Sequence, residues 1–297
     1  MGAGAPVKLE GGLFSGKSVL ITGASRGLGR QLTQAFWSQG ADLLLVARSA
    51  DGLEALRASL PGGDRPPQRA VCVPADLAAA DAPARIFEAL NGFTGRLDAL
   101  INNAAIVGPI GPLEENDWGF WQFTIQVNLL APAALCRLAI PIMKAQGAGA
   151  IVNLSGGGAT SPRPRFSAYA AAKAGLVRLT ETIAAEAGCF GIRANAIAPG
   201  AMNTEMLDAV LRAGPAAAGA EYGKAVEQQQ RGGASPATAA ELAVFLASER
   251  AVEINGRLLS AVWDPWEKIA AYAEQLGPSD IYTLRRIVPE DRGVKWE

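Results

Sequence analysis

Short apolar runs recur along the chain, and between them apolar residues repeat at the spacing of amphipathic helices. Ser18–Thr22, Asp42–Ala47 and Ala70–Pro74 are the first three runs, and residues 97–101, 150–154, 192–197 and 256–260 complete the set. Runs of this length bounded by helical patterns predict seven buried strands alternating with helices. Right-handed crossovers place connecting helices on both faces of a parallel sheet, so its strands read as unbroken apolar stretches. The pattern therefore predicts an α/β protein, a doubly wound parallel seven-stranded sheet with helices on both faces.

No Pro/Gly-rich linker divides the strands into two sets, and the Pro-rich stretch at 61–67 is short enough to be a loop. One catalytic and cofactor-binding domain is expected over 18–262, after an N-terminal extension at 1–17. Residues 202–233 interrupt the repeating unit as an Ala-rich helical segment with breaks at Gly214-Pro215 and Gly232-Gly233. Such an insert is either a substrate lid or a surface helical hairpin. The C-terminal extension, 263–297, contains Trp263, Trp266 and Tyr282 and is expected to be ordered against the domain or a neighbouring subunit.

Composition narrows the chemistry. Residues are 49% hydrophobic, with many Ala and Gly, which suits close packing of helix on sheet. Lys and Arg number 27 against 28 Asp and Glu, without long runs of one sign, so no nucleic-acid partner is expected. Cys72, Cys136 and Cys189 are widely spaced in apolar surroundings and read as core thiols of a cytoplasmic protein, not as a disulfide framework or metal site. The N-terminal stretch lacks the apolar core of a signal peptide, and no segment is expected to span a membrane. The absence of histidine excludes an imidazole base, a Ser-His-Asp triad and a His-ligated metal.

The first strand runs into TGASRGLG, residues 22–29, and then a helix. Glycines there permit a tight turn and a close backbone approach to phosphate, and the helix N-terminus offers free N–H groups to a pyrophosphate. About twenty residues further on, where a carboxylate would grip a ribose 2′-hydroxyl, stand Arg48 and Ser49. Arg48, with Arg26, is placed to pair with a 2′-phosphate, favouring NADP(H) over NAD(H); both are otherwise solvated surface charges. Tyr169 and Lys173 lie four residues apart on one helical face. A phenol whose ionised form is favoured by a neighbouring cation can exchange a proton with an alkoxide or alcohol.

The Gly-x-x-x-Gly-x-Gly spacing, Asp76-Leu77, the NNAA run at 102–105, Asn128, Tyr169-x-x-x-Lys173 and the PGAMNT run at 199–204 occur in the order found in the short-chain dehydrogenase/reductase family, which this chain resembles over 18–262. The resemblance implies a Rossmann fold, a carbonyl/secondary-alcohol reaction on a small molecule, and a homodimer or homotetramer built on the helices near 116–146 and 167–189. It implies cofactor contacts from Gly23, Ser25, Arg26, Gly27, Leu28, Gly29, Arg48, Asp76, Leu77, Asn103, Ala104, Tyr169, Lys173, Pro199, Gly200 and Thr204, with Asn128 in a proton relay. Asn128 also reads as a helix-bending core amide.

One position departs from the family. Gly156 stands thirteen residues before Tyr169, where the family carries a carbonyl-polarising serine. Ser155 could take that role through the flexible triglycine loop; Thr160, Ser161 or the substrate's own hydroxyl are the alternatives, and loss of ordinary carbonyl reduction is the third reading. That third reading admits an epimerase, dehydratase or cyclase, or an inactive NADP-binding protein. Arg163, Arg165 and Phe166 lie on the loop leading to Tyr169 and suit a bulky polar or anionic substrate, such as a sugar derivative or natural-product intermediate. The Ser260–Asp264 segment also departs from the family's Val-Asp-Gly-Gly-like ending.

Overall fold

The computed structural model describes residues 12–62 and 68–295. Among these, the strands are β1 (Ser18–Thr22), β2 (Asp42–Ala47), β3 (Ala70–Pro74), β4 (Ala99–Asn102), β5 (Gly149–Leu154), β6 (Ile192–Ala198) and β7 (Leu258–Ser260). They form one sheet in the order β3-β2-β1-β4-β5-β6-β7, with every neighbouring pair parallel. The strands fall on the predicted apolar runs. The last begins two residues late because Gly256 turns the chain at φ +72.

The helices are α1 (Gly27–Ser38), α2 (Ala50–Ala58), α3 (Ala82–Phe93), α4 (Trp118–Ile125), α5 (Ala131–Gln146), α6 (Ser167–Ala187), α7 (Glu205–Ala218), α8 (Ala220–Arg231), α9 (Pro236–Ala247) and α10 (Ala273–Leu276). Strand alternation builds two cores from the same apolar runs. Val19, Ile21, Leu43 and Leu45 face α1 and α9, while Leu20, Leu44 and Val46 face α3, α5 and α6. Each such buried side chain contributes about 2 kcal/mol relative to its exposed state. A one-residue slip would exchange the faces, so both cores fix the register.

Helices α4 and α5 are joined without a break by a π-helical turn, Gln126–Leu130. The resulting 29-residue helix, Trp118–Gln146, is apolar and long enough by composition to cross a membrane, against the sequence expectation that no segment would be. Its buried positions, among them Leu135, Cys136, Ala139 and Met143, instead pack on the second core. A second correction concerns the thiols: Cys136 is buried and Cys72 half-buried, but Cys189 is exposed in the turn after α6.

Residues 202–233 fold as α7 and α8. The expected breaks are present, with Gly214 at φ +76 and Gly232 at φ +87, and a further one at Gly219, φ +57, separates the two helices. Leu207, Val210, Ala218 and Ala225 from this pair pack against Phe166 and Tyr169. After β7 the chain returns over the sheet edge. Trp266, Ile269, Ala273 and Leu276 join the α1/α9 core, and the Leu258 N–H donates to the Tyr282 carbonyl at 2.8 Å, covering β7. Arg257, 6% exposed, donates to the carbonyls of Ser279 and Ile281 at 2.9 and 2.8 Å and to that of Leu276. Within the predicted N-terminal extension, residues 1–11 lie outside the described residues, and Phe14 is buried edge-on against Phe36.

Candidate active site

The strand order reverses between β1 and β4, which leaves a crevice beyond their carboxyl ends. A cavity of about 500 Å³ opens there, lined by the β1–α1 loop, the ends of β2 to β5, the first turns of α6 and residues 199 and 202–206. That volume suits a small organic ligand or cofactor.

The glycine loop has three distinct reasons for its glycines. Gly23 sits at φ +64, and a Cβ there would fall 2.9 Å from the Ala104 backbone. At Gly29 a Cβ would lie 1.9 Å from the Gly23 carbonyl oxygen, so α1 could not pack so close to β1. Gly27, at φ +51, meets nothing nearer than Thr204 Cγ2 at 3.7 Å and leaves its backbone open to the cavity. The loop is held from the next strand: Asn103 Nδ2 donates to the Thr22 and Gly23 carbonyls at 2.9 and 3.2 Å, and Thr22 Oγ1 accepts the Asn103 and Ala104 N–H groups at 3.0 and 3.1 Å. A cradle of open backbone at a helix N-terminus fits the pyrophosphate of a dinucleotide.

Of the sequence-predicted cofactor residues, Gly23, Ser25, Arg26, Gly27, Leu28, Gly29, Arg48, Asp76, Leu77, Asn103, Ala104, Tyr169, Lys173, Pro199 and Thr204 all line the cavity. Gly200 does not: a Cβ on it would meet Val262 and Ala234, so it serves the packing of the β6–α7 loop against the tail. Arg48 is exposed at the rim. Arg26 is engaged by Glu205 at the start of α7, an ion pair across the mouth.

Tyr169 and Lys173 face the cavity from the start of α6, both nearly inaccessible to solvent. Lys173 Nζ donates to the Leu154 carbonyl at 2.6 Å and lies 5.8 Å from the centre of the Tyr169 ring. Burial lowers the Lys173 ammonium to about 8. Burial also holds the Tyr169 phenol above its ordinary value, opposed by the positive charge of Arg163. The net direction is opposite to the sequence expectation, because desolvation of the phenolate outweighs the neighbouring cation.

Asn128 does not line the cavity. It sits in the π turn, where its Oδ1 accepts the Ile106 N–H at 2.9 Å and its Nδ2 donates to the Ile106 carbonyl at 2.8 Å. It therefore ties the helix to the loop after β4, which carries the cavity residues Asn103 to Ile106. Gly156 is filled from across the site: a Cβ there would stand 2.5 Å from the Tyr169 hydroxyl. Ser155, by contrast, lines the cavity with a buried Oγ that has no hydrogen-bond partner. Thr160 and Ser161 are exposed and line no part of it.

Two features gave no local sequence signal. A buried polar chain runs from Asn102 Nδ2 to Asn153 Oδ1 at 2.8 Å and from Asn153 Nδ2 to Thr180 Oγ1 at 2.8 Å, linking β4, β5 and α6 beneath Ser155. Arg163 is not free for an anionic substrate: its Nε donates to Glu221 of α8 at 3.1 Å, and its guanidinium lies 4.1 Å from the Phe166 ring centre and 5.6 Å from that of Tyr169. Arg165, at φ +74, donates to the Ala216 carbonyl of α7 at 3.1 Å.

A sequence profile for short chain dehydrogenases matches residues 17–213. D-threitol dehydrogenase of Mycolicibacterium smegmatis is 37% identical over 246 residues, which cover 82% of this chain and 90% of that protein. The crystal structure of levodione reductase shares the fold with a TM-score of 0.76 at 31% identity, covering 87% of this chain and 99% of that one. A protein of Beutenbergia cavernae, provisionally assigned as an NAD(P) dependent gluconate 5-dehydrogenase and bearing NADP at low occupancy, gives a TM-score of 0.72 at 30% identity over 84% of this chain and 97% of its own. The chain belongs to the short-chain dehydrogenase/reductase family. It is an NAD(P)-dependent oxidoreductase that interconverts carbonyl and alcohol groups on small molecules.

Proposed function

We propose that this enzyme is an NADP(H)-preferring reductase or dehydrogenase of polyols and keto sugars in the cytoplasm. Tyr169 is the proton donor and acceptor, Lys173 its neighbouring cation and ribose anchor, and Ser155 the group that polarises the carbonyl. The observation that carries this reading is the unpartnered Ser155 hydroxyl, buried on the cavity wall that also presents Tyr169 and Lys173. A buried hydroxyl without a partner costs about 1–3 kcal/mol, a deficit that a substrate oxygen removes on binding.

The nicotinamide dinucleotide, when bound, supplies or accepts the hydride. Residues of the chain do the rest. Tyr169, held neutral by burial, gives its proton to the carbonyl oxygen as negative charge develops there, while Ser155 donates a second hydrogen bond to the same oxygen. Lys173, still cationic at neutral pH, favours the phenolate that remains and shares the cost of its burial. Asn128 holds the loop after β4 in place. Arg48 and Arg26 hold the 2′-phosphate, Arg26 exchanging Glu205 for it. Substrate preference for polyols is supported by the likeness to a D-threitol dehydrogenase and to a protein provisionally assigned as a gluconate 5-dehydrogenase.

Assay of purified protein with NADPH and NADH against tetroses, pentuloses and 5-keto acids tests this. We expect consumption of NADPH in preference to NADH, a preference that falls about 10- to 100-fold in Arg48→Asp, and loss of turnover in Tyr169→Phe. A wild type that prefers NADH, a Tyr169→Phe enzyme of full activity, or product formation without net cofactor change overturns the reading.

A further inference from the structure

Between Ser155 and Tyr169 the chain forms a strap of three glycines followed by Pro162-Arg163-Pro164-Arg165-Phe166. Its two arginines point to the same neighbours, α7 and α8. Arg163 Nε meets Glu221 at 3.1 Å, and Arg165 donates to the carbonyl of Ala216, across the Gly219 turn from Glu221. Gly158, at φ +96, leaves no room for a Cβ, which would fall 2.8 Å from that of Ala170 and 3.2 Å from that of Arg163, so the strap lies close against α6. The Arg163 guanidinium stands 5.6 Å from the centre of the phenol ring. Where the family carries a serine beside the tyrosine, this chain has a glycine and a cation.

We propose, on the reading of Tyr169 given above, that Arg163 is a positioning residue for the tyrosine: its guanidinium supplies positive charge beside the phenol, and Glu221 of α8 holds and attenuates that charge. Packing of α8 against the strap thereby sets the acidity of Tyr169, joining the position of α8 to proton transfer. The charged groups facing the phenol are Lys173 from α6, Arg163 from the strap and, behind it, Glu221 of α8. Although partial burial pushes the Glu221 carboxyl up, the hydrogen bonds and charges of Lys224 and Arg163 outweigh it and hold it below its ordinary value. It is a carboxylate at every pH at which Tyr169 titrates. Lys224 is exposed to water and screened.

The test is the pH dependence of alcohol oxidation, in which Tyr169 must first lose its proton. Arg163→Gln removes the cation, so the rising limb of the rate should move to alkaline pH, and turnover at neutral pH should fall about 3- to 10-fold. Glu221→Gln removes the attenuating anion and should move the same limb to acid pH, while Arg163→Lys should stay near the wild type. A purely structural strap would lower the rates of both variants without displacing the limb in opposite directions. Absorbance titration of tyrosinate, as the difference from Tyr169→Phe, gives the same comparison without a substrate and so separates failure of this inference from failure of the proposed activity. Should Arg163→Gln not fold, the acid displacement in Glu221→Gln decides. Coincident profiles for wild type, Glu221→Gln and any folded Arg163 variant overturn the proposal.

Discussion

A Cβ built on Gly156 falls 2.5 Å from the Tyr169 hydroxyl, closer than non-bonded atoms approach. Restoring the family's serine there would therefore not complete the site; it would drive the tyrosine from its place. We expect Gly156→Ser to lower kcat about tenfold or more and to cost about 1–3 kcal/mol of stability by overpacking, measured by steady-state kinetics and thermal unfolding; a rise in kcat would show that the tyrosine yields freely. Lys173 gives a second residue-level expectation. Burial lowers its ammonium from the ordinary 10.5 to about 8 in the fold, so below pH 8 both folded and unfolded chains carry the proton and the fold bears the full burial cost, about 3 kcal/mol. Between pH 8 and 10.5 the unfolded chain binds more protons, and stability from this group rises with pH. The Tm deficit of wild type relative to Lys173→Met should shrink across that interval, and a deficit independent of pH would contradict it. At this scale the sequence was most informative where function rests on contiguous motifs, as at the glycine loop and the α6 pair. It could not show that Tyr169 would be raised by burial, nor that Arg163 and Glu221, 58 residues apart, would meet.

Strands and their order of helices were legible because the apolar runs are short and bounded by polar turns; in β1, β4 and β5 every position is buried, whereas the edge strands β3 and β7, expected to be buried like the rest, are mostly half-buried. The long helix expected near 116–146 is present as α4 and α5 together, but the π turn within it, Gln126–Leu130, was not legible, because it goes with Asn128 reaching the backbone of Ile106, a contact outside any helical period. The C-terminal extension was expected to pack on the domain or on a neighbour; Trp266, Ile269, Ala273, Leu276 and Tyr282 pack against the α1/α9 core, while Trp263 is 84% exposed. What fastens it is Arg257, beside Gly256 at the start of β7, whose guanidinium serves carbonyls from Leu276 to Ile281. Arg257→Leu leaves those acceptors without their donor and should cost about 3 kcal/mol. Limited proteolysis should then cut between residues 277 and 286 while KM for the cofactor stays unchanged. Resistance equal to that of the wild type would mean that Trp266 and Leu276 hold the tail without help.

For the molecule as a whole, assembly is the property on which fold and sequence bear least directly. The β7 edge, an otherwise open row of backbone donors and acceptors, is occupied by the tail through Tyr282. Across the sheet, α4 and the π turn present Trp118, Phe120 and Leu130 with relative exposures of 60%, 43% and 49%, and Trp118 stacks on Trp121 at 4.9 Å. Large apolar side chains left exposed along one helix are the kind of surface that association removes from water. A symmetric dimer through the α4 to α6 helices is therefore expected, because a twofold axis lets one apolar patch cover its own copy. Sedimentation of the wild type should give twice the chain mass, and Trp118→Asp with Leu130→Asp should give the single mass with the fold retained by circular dichroism. Since Trp121 Nε1 donates to Ser167 Oγ at 3.1 Å, two residues before Tyr169, dissociation should also raise KM or lower kcat by loosening the start of α6. A monomeric wild type of full activity, or a double variant that remains dimeric, would place the contact elsewhere.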